Sequence, residues 1–180
     1  IDWRRHNLLS LAGIYQPKKK IEESKLPAAL TRFLEDHPMM KIIADSSANI
    51  SALEGVCFQS IPMTIRAGER EFVDDGTLDT AKMLDYLASY NGKSGTACPG
   101  LDAWLQAFSG ADEIFVVTIT GALSGTCASA VAARDLYLQS HPEARIHVFD
   151  SLSTGPEMLL LIEKLADLIR EGKSFDEICK

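Results

Sequence analysis

Glu113-Ile114-Phe115-Val116-Val117-Thr118-Ile119, followed by Thr120-Gly121-Ala122-Leu123-Ser124-Gly125-Thr126, is the stretch that decides the fold. Ile114, Phe115, Val116, Val117 and Ile119 form a nearly unbroken apolar run. A strand with one wet face alternates apolar and polar residues. A continuous run is covered on both faces, which marks a central strand of a parallel sheet. The glycine- and hydroxyl-rich turn then leads into a helix that Ser124 opens and that runs to about Gln139.

Reading outward, strands and helices alternate. Met39 to Ala44 is a buried strand that ends in Asp45-Ser46-Ser47. Val56 to Ile65 is β-rich, with Pro62 marking an edge or bend. Phe72-Val73 before Asp74-Asp75-Gly76 predicts an extended segment and a turn, and Asp79 is placed to cap a helix through Ala88. Leu101, Trp104, Leu105 and Phe108 share one helical face. Arg145 to Phe149 predicts another strand. Gly155-Pro156 starts a helix burying Met158, Leu161, Leu165, Leu168 and Ile169, which stops near Gly172. Ser174-Phe175-Asp176-Glu177 fits a capping box, with the chain ending inside the helix it opens. Strand–helix–strand order implies right-handed crossovers and an α/β three-layer sandwich with a mainly parallel central sheet. Residues 1–38 differ: they carry Pro17, Pro27, Pro38 and the run Lys18-Lys19-Lys20. They read as an arm or linker with one helix from Pro27 to Asp36, and 39–180 as the folded domain.

Composition narrows the function classes. Of 180 residues, 46% are apolar and 24% charged, and the net charge is −7. Such a chain carries no basic face for nucleic acid, and Lys18-Lys19-Lys20 reads as a solvated loop. The longest apolar stretch, Met158 to Ile162, is far too short to span a membrane. Cys57, Cys98, Cys127 and Cys179 are far apart and read as reduced thiols of a cytoplasmic protein. Neither they nor His6, His37, His141 and His147 show metal-ligand spacing, so no metal is expected. The first residue is not methionine, which reads as a processed product or a piece of something larger.

Four loops remain as candidates for function: Asp45-Ser46-Ser47, Ser94 to Gly100, Thr120 to Thr126, and Asp150 to Gly155. Loops at the carboxyl ends of parallel strands share one crevice. A crevice lined by neutral hydroxyls and helix-start amides suits a single anionic head such as a carboxylate. Ser124 serves either as a plain N-cap or as a donor to such a ligand, and the residues leave both open. A nucleophile role for Ser124 lacks the G-x-S-x-G elbow, because Ala122 stands two residues before it. Walker and G-x-G-x-x-G patterns are absent. Thr96, in a loop before Pro99, gains interest only if paired with Ser124. Cys98 is a weak nucleophile candidate, with no visible base. Asp45 and Asp150 are expected to accept loop N–H groups rather than to do acid–base work.

At these loops the chain resembles the DegV family of bacterial fatty-acid-binding proteins. The resemblance rests on Lys41-Ile42-Ile43-Ala44-Asp45-Ser46-Ser47, Ile61-Pro62-Met63-Thr64, Thr96-Ala97-Cys98-Pro99, Ile119 to Thr126, and Asp150-Ser151-Leu152-Ser153, and spans about Met39 to the end. It implies a carrier, not an enzyme, that needs no cofactor. Such a carrier holds one long-chain fatty acid in a tunnel between two domains and presents its carboxylate to a separate fatty-acid kinase, which makes an acyl phosphate for phospholipid synthesis. The head-group hydroxyls map to Thr96 and Ser124. Ala97 stands where many members have serine, which removes one donor. The chain matches only the first of the family's two domains, so an exposed apolar patch is expected. The rival class is an acyl-transfer or hydrolase enzyme with Ser124 or Cys98 as nucleophile.

Overall fold

The structure, a computed structural model, describes residues 38–180. The expected helix from Pro27 to Asp36 and residues 1–37 of the arm lie outside the described residues. In chain order the elements are β1 (Met40–Asp45), β2 (Cys57–Ile61), β3 (Thr64–Ala67), β4 (Arg70–Val73), α1 (Thr80–Ser89), β5 (Ser94–Ala97), α2 (Leu101–Phe108), β6 (Glu113–Thr118), α3 (Thr126–Ser140), β7 (Arg145–Asp150), α4 (Pro156–Arg170) and α5 (Phe175–Ile178). A short 3-10 turn, Ser46–Ala48, follows β1.

Four strands form a parallel sheet in the order β2-β1-β6-β7, so the continuous apolar run is an inner strand, as its pattern requires. All six residues of β6 are buried. The pleat sends alternate residues of β1 and β6 to opposite faces. Ile42, Ala44, Phe115 and Val117 pack with Met158, Ile162, Leu165, Ile169 and Phe175 of α4 and α5. Ile43, Ile114 and Val116 pack with Trp104, Ala107 and Phe108 of α2 and with Ala130 and Ala133 of α3. Each central strand thus serves two cores, and three layers result.

Other expectations shift. The β-rich stretch from Val56 to Ile65 is two strands in different sheets, broken at Pro62-Met63. The second sheet, antiparallel and ordered β4-β3-β5, was not expected. Thr96 lies in its strand β5, opposite Ile65, and not in a loop. Helix α3 begins at Thr126 after the N-cap Gly125, two residues later than Ser124. Asp79 does cap α1, accepting from Lys82 N at 3.0 Å. The capping box at Ser174 and Glu177 is present, but its helix ends at Ile178 rather than running off the chain.

Two buried charges fix the end of the sheet opposite the loops. Lys41 Nζ donates to Gln59 Oε1 and to the Ala107 carbonyl, each at 2.7 Å. That carbonyl belongs to the last turn of α2, whose acceptors have no intrahelical donor. The ammonium therefore caps α2, although burial holds its pKa below the ordinary lysine value. Glu113 starts β6 and accepts from Arg145 Nη1 at 3.1 Å, while its Oε2 has no partner among the described residues. Arg145 also lies 4.3 Å over the Phe175 ring and pairs with Asp176, clamping α5 to the sheet. Burial pushes the Glu113 carboxyl up, against the lowering pull of Arg145.

Two predictions follow from these charges. Lys41→Met leaves the Ala107 carbonyl unmet, and chemical denaturation should show a loss of about 2 kcal/mol; an unchanged midpoint refutes the capping role. A raised folded-state Glu113 pKa means that the folded chain holds the proton over a range where the unfolded chain has lost it. Its contribution is present below the ordinary glutamate value, about 4.3, and is lost as pH rises above it. The stability of Glu113→Gln relative to the parent should therefore grow as pH is raised from about 4 toward neutrality, and a constant difference refutes the assigned direction.

Candidate functional site

The carboxyl ends of β1, β6 and β7 are stitched together by two aspartates. Asp45, fully buried at the end of β1, accepts the Ser47 amide at 3.1 Å and the Ser47 hydroxyl on Oδ1. Its Oδ2 accepts the amide of Ile119, just beyond β6, at 2.7 Å. Asp150, at the end of β7, accepts the Gly121 amide at 3.1 Å and the Leu152 amide at 3.0 Å. The Thr120 amide donates to the Ser153 carbonyl at 2.9 Å. Both aspartates thus do what their place in the sequence implied, organising turns through short side chains that mimic backbone acceptors. Gly121 leaves room for this contact: a Cβ on it would lie 3.0 Å from Asp150 Oδ2, and the carboxylate would have to shift.

The turn after β6 carries Ser124. The Leu123 and Ser124 amides both donate to the Thr120 carbonyl, at 3.1 and 3.2 Å, which curls the chain before α3. Ser124 is half-buried, and its Oγ lies 2.7 Å from Thr126 Oγ1 and accepts the Thr126 amide at 3.3 Å. Gly125, the N-cap, offers no side-chain acceptor, and of the helix amides Ser124 Oγ meets only that of Thr126, so this 15-residue helix presents its positive end at the turn. Thr126 is fully buried. Its hydroxyl was missed in the sequence, where it reads simply as the last letter of Leu-Ser-Gly-Thr.

Thr96 is exposed on β5, an edge strand of the small sheet. Two contacts bring the segment after it to the Ser124 turn. Cys98 Sγ lies 3.6 Å from the position of a Cβ on Gly125, and Ser129 Oγ of α3 donates to the Pro99 carbonyl at 2.8 Å. The loop after β1 joins as well, since Ser46 Oγ accepts the Met63 amide at 3.1 Å. The loops therefore surround one end of the sheet, and their ties run through hydroxyls, carboxylates and backbone groups. Leu123 and Leu152 stand out from two of them, 73% and 80% exposed. Leu152 does so in a left-handed conformation, φ +54°, that a leucine adopts at a cost of about 1–2 kcal/mol.

The two described histidines sit elsewhere. His141, just past α3, stacks on Tyr137 with ring centroids 4.0 Å apart, and His147 packs on Phe149 at 4.4 Å in β7. Burial and the charge of Arg134 lower the His147 pKa. Among the described residues no group of three or more histidines, cysteines or carboxylates is placed to hold a metal, and no helix is long and apolar enough to cross a membrane.

A family model described as an uncharacterised protein of the DegV family matches residues 39–180. A DegV domain-containing protein of Streptococcus pneumoniae is 47% identical over 142 residues, which is 77% of this chain and 50% of that protein. A solved DegV family protein from Eubacterium eligens, loaded with heptadecanoic acid, is 53% identical with a TM-score of 0.76, over 77% of this chain and 50% of its own. The Streptococcus pneumoniae Fatty Acid Kinase (Fak) B3 protein, loaded with linoleic acid, is 46% identical with a TM-score of 0.75, over 78% and 52%. The chain therefore spans about half the length of the relatives it matches.

The geometry makes Asp45 the keystone of the loop cluster. Asp45→Asn keeps the shape but turns one acceptor into a donor facing an N–H. Denaturation should show a loss of about 2–3 kcal/mol, because a buried amide of Ile119 or Ser47 is then left without an acceptor. A loss below about 0.5 kcal/mol, the level of an ordinary surface change, refutes that role.

Proposed function

The chain belongs to the DegV family, and from that premise we propose that it binds a long-chain fatty acid, with the carboxylate held by the hydroxyls of Ser124, just ahead of α3, and of Thr96 on β5. The observation that carries this reading is the Ser124 turn. A half-buried hydroxyl stands ahead of a 15-residue helix whose N-cap is a glycine, in a chain whose relatives at 53% and 46% identity hold heptadecanoic and linoleic acid. Hydroxyl protons and the helix dipole together suit one negative charge. An acyl tail of ~16 carbons gains about 0.8 kcal/mol per buried CH₂, so the tail supplies affinity and the hydroxyls orientation. The exposed Leu123 and Leu152 beside the turn support an apolar ligand or wall at this end of the sheet.

In this reading the protein is a carrier that acts in the cytoplasm and presents the carboxylate to a fatty-acid kinase for acyl-phosphate formation. The resemblance to the pneumococcal Fatty Acid Kinase (Fak) B3 protein supports that partner. Nucleophilic catalysis by Ser124 or Cys98 has less support. The partner of Ser124 is the hydroxyl of Thr126, which is no base, and His141 and His147 pack against aromatic rings away from the turn.

Mass spectrometry of an organic extract of the purified protein should find a co-purified long-chain fatty acid. Ser124→Ala should weaken fatty-acid binding about tenfold in a fluorescence titration, the loss of one hydrogen bond to a charged group, while the fold survives. Ester turnover abolished by Ser124→Ala points to the enzyme instead. Absence of lipid with an unchanged dissociation constant removes the carrier reading.

A further inference from the structure

We propose that Thr126 is a positioning residue that donates its proton to Ser124 and thereby points the Ser124 proton at the ligand. The inference rests on the carrier reading above and extends it to a residue that never touches the fatty acid. Ser124 Oγ and Thr126 Oγ1 are 2.7 Å apart, so one hydroxyl must donate to the other. Counting protons decides which. Thr126 is fully buried, and Ser124 is the one acceptor within reach of its hydroxyl among the described residues. If Ser124 donated to it, the Thr126 proton would be stranded in the interior, a costly arrangement. With Thr126 as donor that cost vanishes.

The Thr126 amide also donates to Ser124 Oγ, at 3.3 Å. A hydroxyl oxygen has two lone pairs and one proton. Both lone pairs of Ser124 are then filled from within the protein, by two donors of one residue. Its proton alone is left, on a half-buried side chain. Such a serine is a committed donor: it can give a hydrogen bond to a carboxylate oxygen and cannot take one. Two donors into one hydroxyl also polarise it and strengthen the bond that it gives. The arrangement favours an ionised acid over a head that must itself donate, such as an alcohol.

The test is oleate titration of the full-length protein carrying Thr126→Val, Thr126→Ser, Ser124→Ala and the Ser124→Ala/Thr126→Val pair, with thermal melts to verify folding. Valine matches threonine in shape but lacks the hydroxyl, so Thr126→Val should weaken oleate about tenfold. Thr126→Ser should restore near-parent affinity, and Thr126→Val should add nothing to Ser124→Ala, because its whole effect passes through that serine. Three results overturn the proposal while the carrier reading stands: parent affinity in Thr126→Val beside a weakened Ser124→Ala, losses that add in the double variant, or no rescue by serine. Failure of the parent itself to bind oleate defeats the carrier reading first and this inference with it.

Discussion

The structure turns on one buried carboxylate. Asp45 ends β1 with both oxygens facing inward, and its two sides do different work. One oxygen folds the chain back on Ser47, which starts the 3-10 turn Ser46–Ala48. The other takes the amide of Ile119, just beyond the neighbouring strand β6. A parallel sheet has no hairpins to tie its strand ends together, so the loops leaving those ends need another tether. Asp45 supplies it between β1 and β6, and Asp150 supplies it between β6 and β7. The buried charge is offset by N–H and O–H donors, which lets it stay in the interior.

The same economy explains why so much of the main sheet was readable and so little of the small one. The run from Ile114 to Ile119 can be satisfied only by two covered faces, and its alternate residues do enter two separate cores. Asp45 and Asp150 were readable because a short acidic side chain after a strand has few other uses than accepting nearby amides. Strand β5, Ser94-Gly95-Thr96-Ala97, carries no such signal. Exposed from Ser94 to Thr96, it is a strand because β3 pairs with it, a long-range fact with no local signature. The start of α3 was misread for a different reason. Ser124 has the chemistry of an N-cap, but Gly125 holds that position and Ser124 instead accepts the amide of Thr126. The role of Thr126 depends on burial and proton count, which residue types alone do not specify.

The site has a consistent electrostatic character. Its loops are held by two carboxylates whose oxygens accept internal N–H and O–H donors: Asp45, which is buried, and Asp150, which is exposed at the end of β7. The neutral donors at this end are the half-buried Ser124, the amides that open α3, and the exposed Thr96 on its edge strand. A lysine or arginine in that place would grip an anion more tightly, but it would also bind phosphate, nucleotides and other common anions. Neutral donors leave discrimination to the apolar part of a ligand. Leu123 and Leu152 stand beside them, and Leu152 is held out in a strained left-handed conformation that the hydrogen bonds of Asp150 and Ser151 around it maintain. Strain of this kind persists only where the surrounding contacts over-determine the loop.

On the carrier reading proposed above, the protein also has to let its ligand go, and the proton arithmetic at Ser124 bears on that. Filling both lone pairs of Ser124 from Thr126 makes the serine a good donor without adding a charge to the site. On the same reading, a bond from it to a carboxylate is strong for a neutral group and weak beside an ion pair, which leaves most of the binding free energy to the tail. A head bound in this way stays chemically available, because its oxygens are not neutralised. Once such a head is converted to a bulkier, more highly charged group, two hydroxyls and a helix start no longer match it in size or charge. Affinity vested in the tail and orientation vested in a polarised hydroxyl are therefore compatible with both delivery and release, and Asp45 keeps the turn bearing that hydroxyl in register with the sheet.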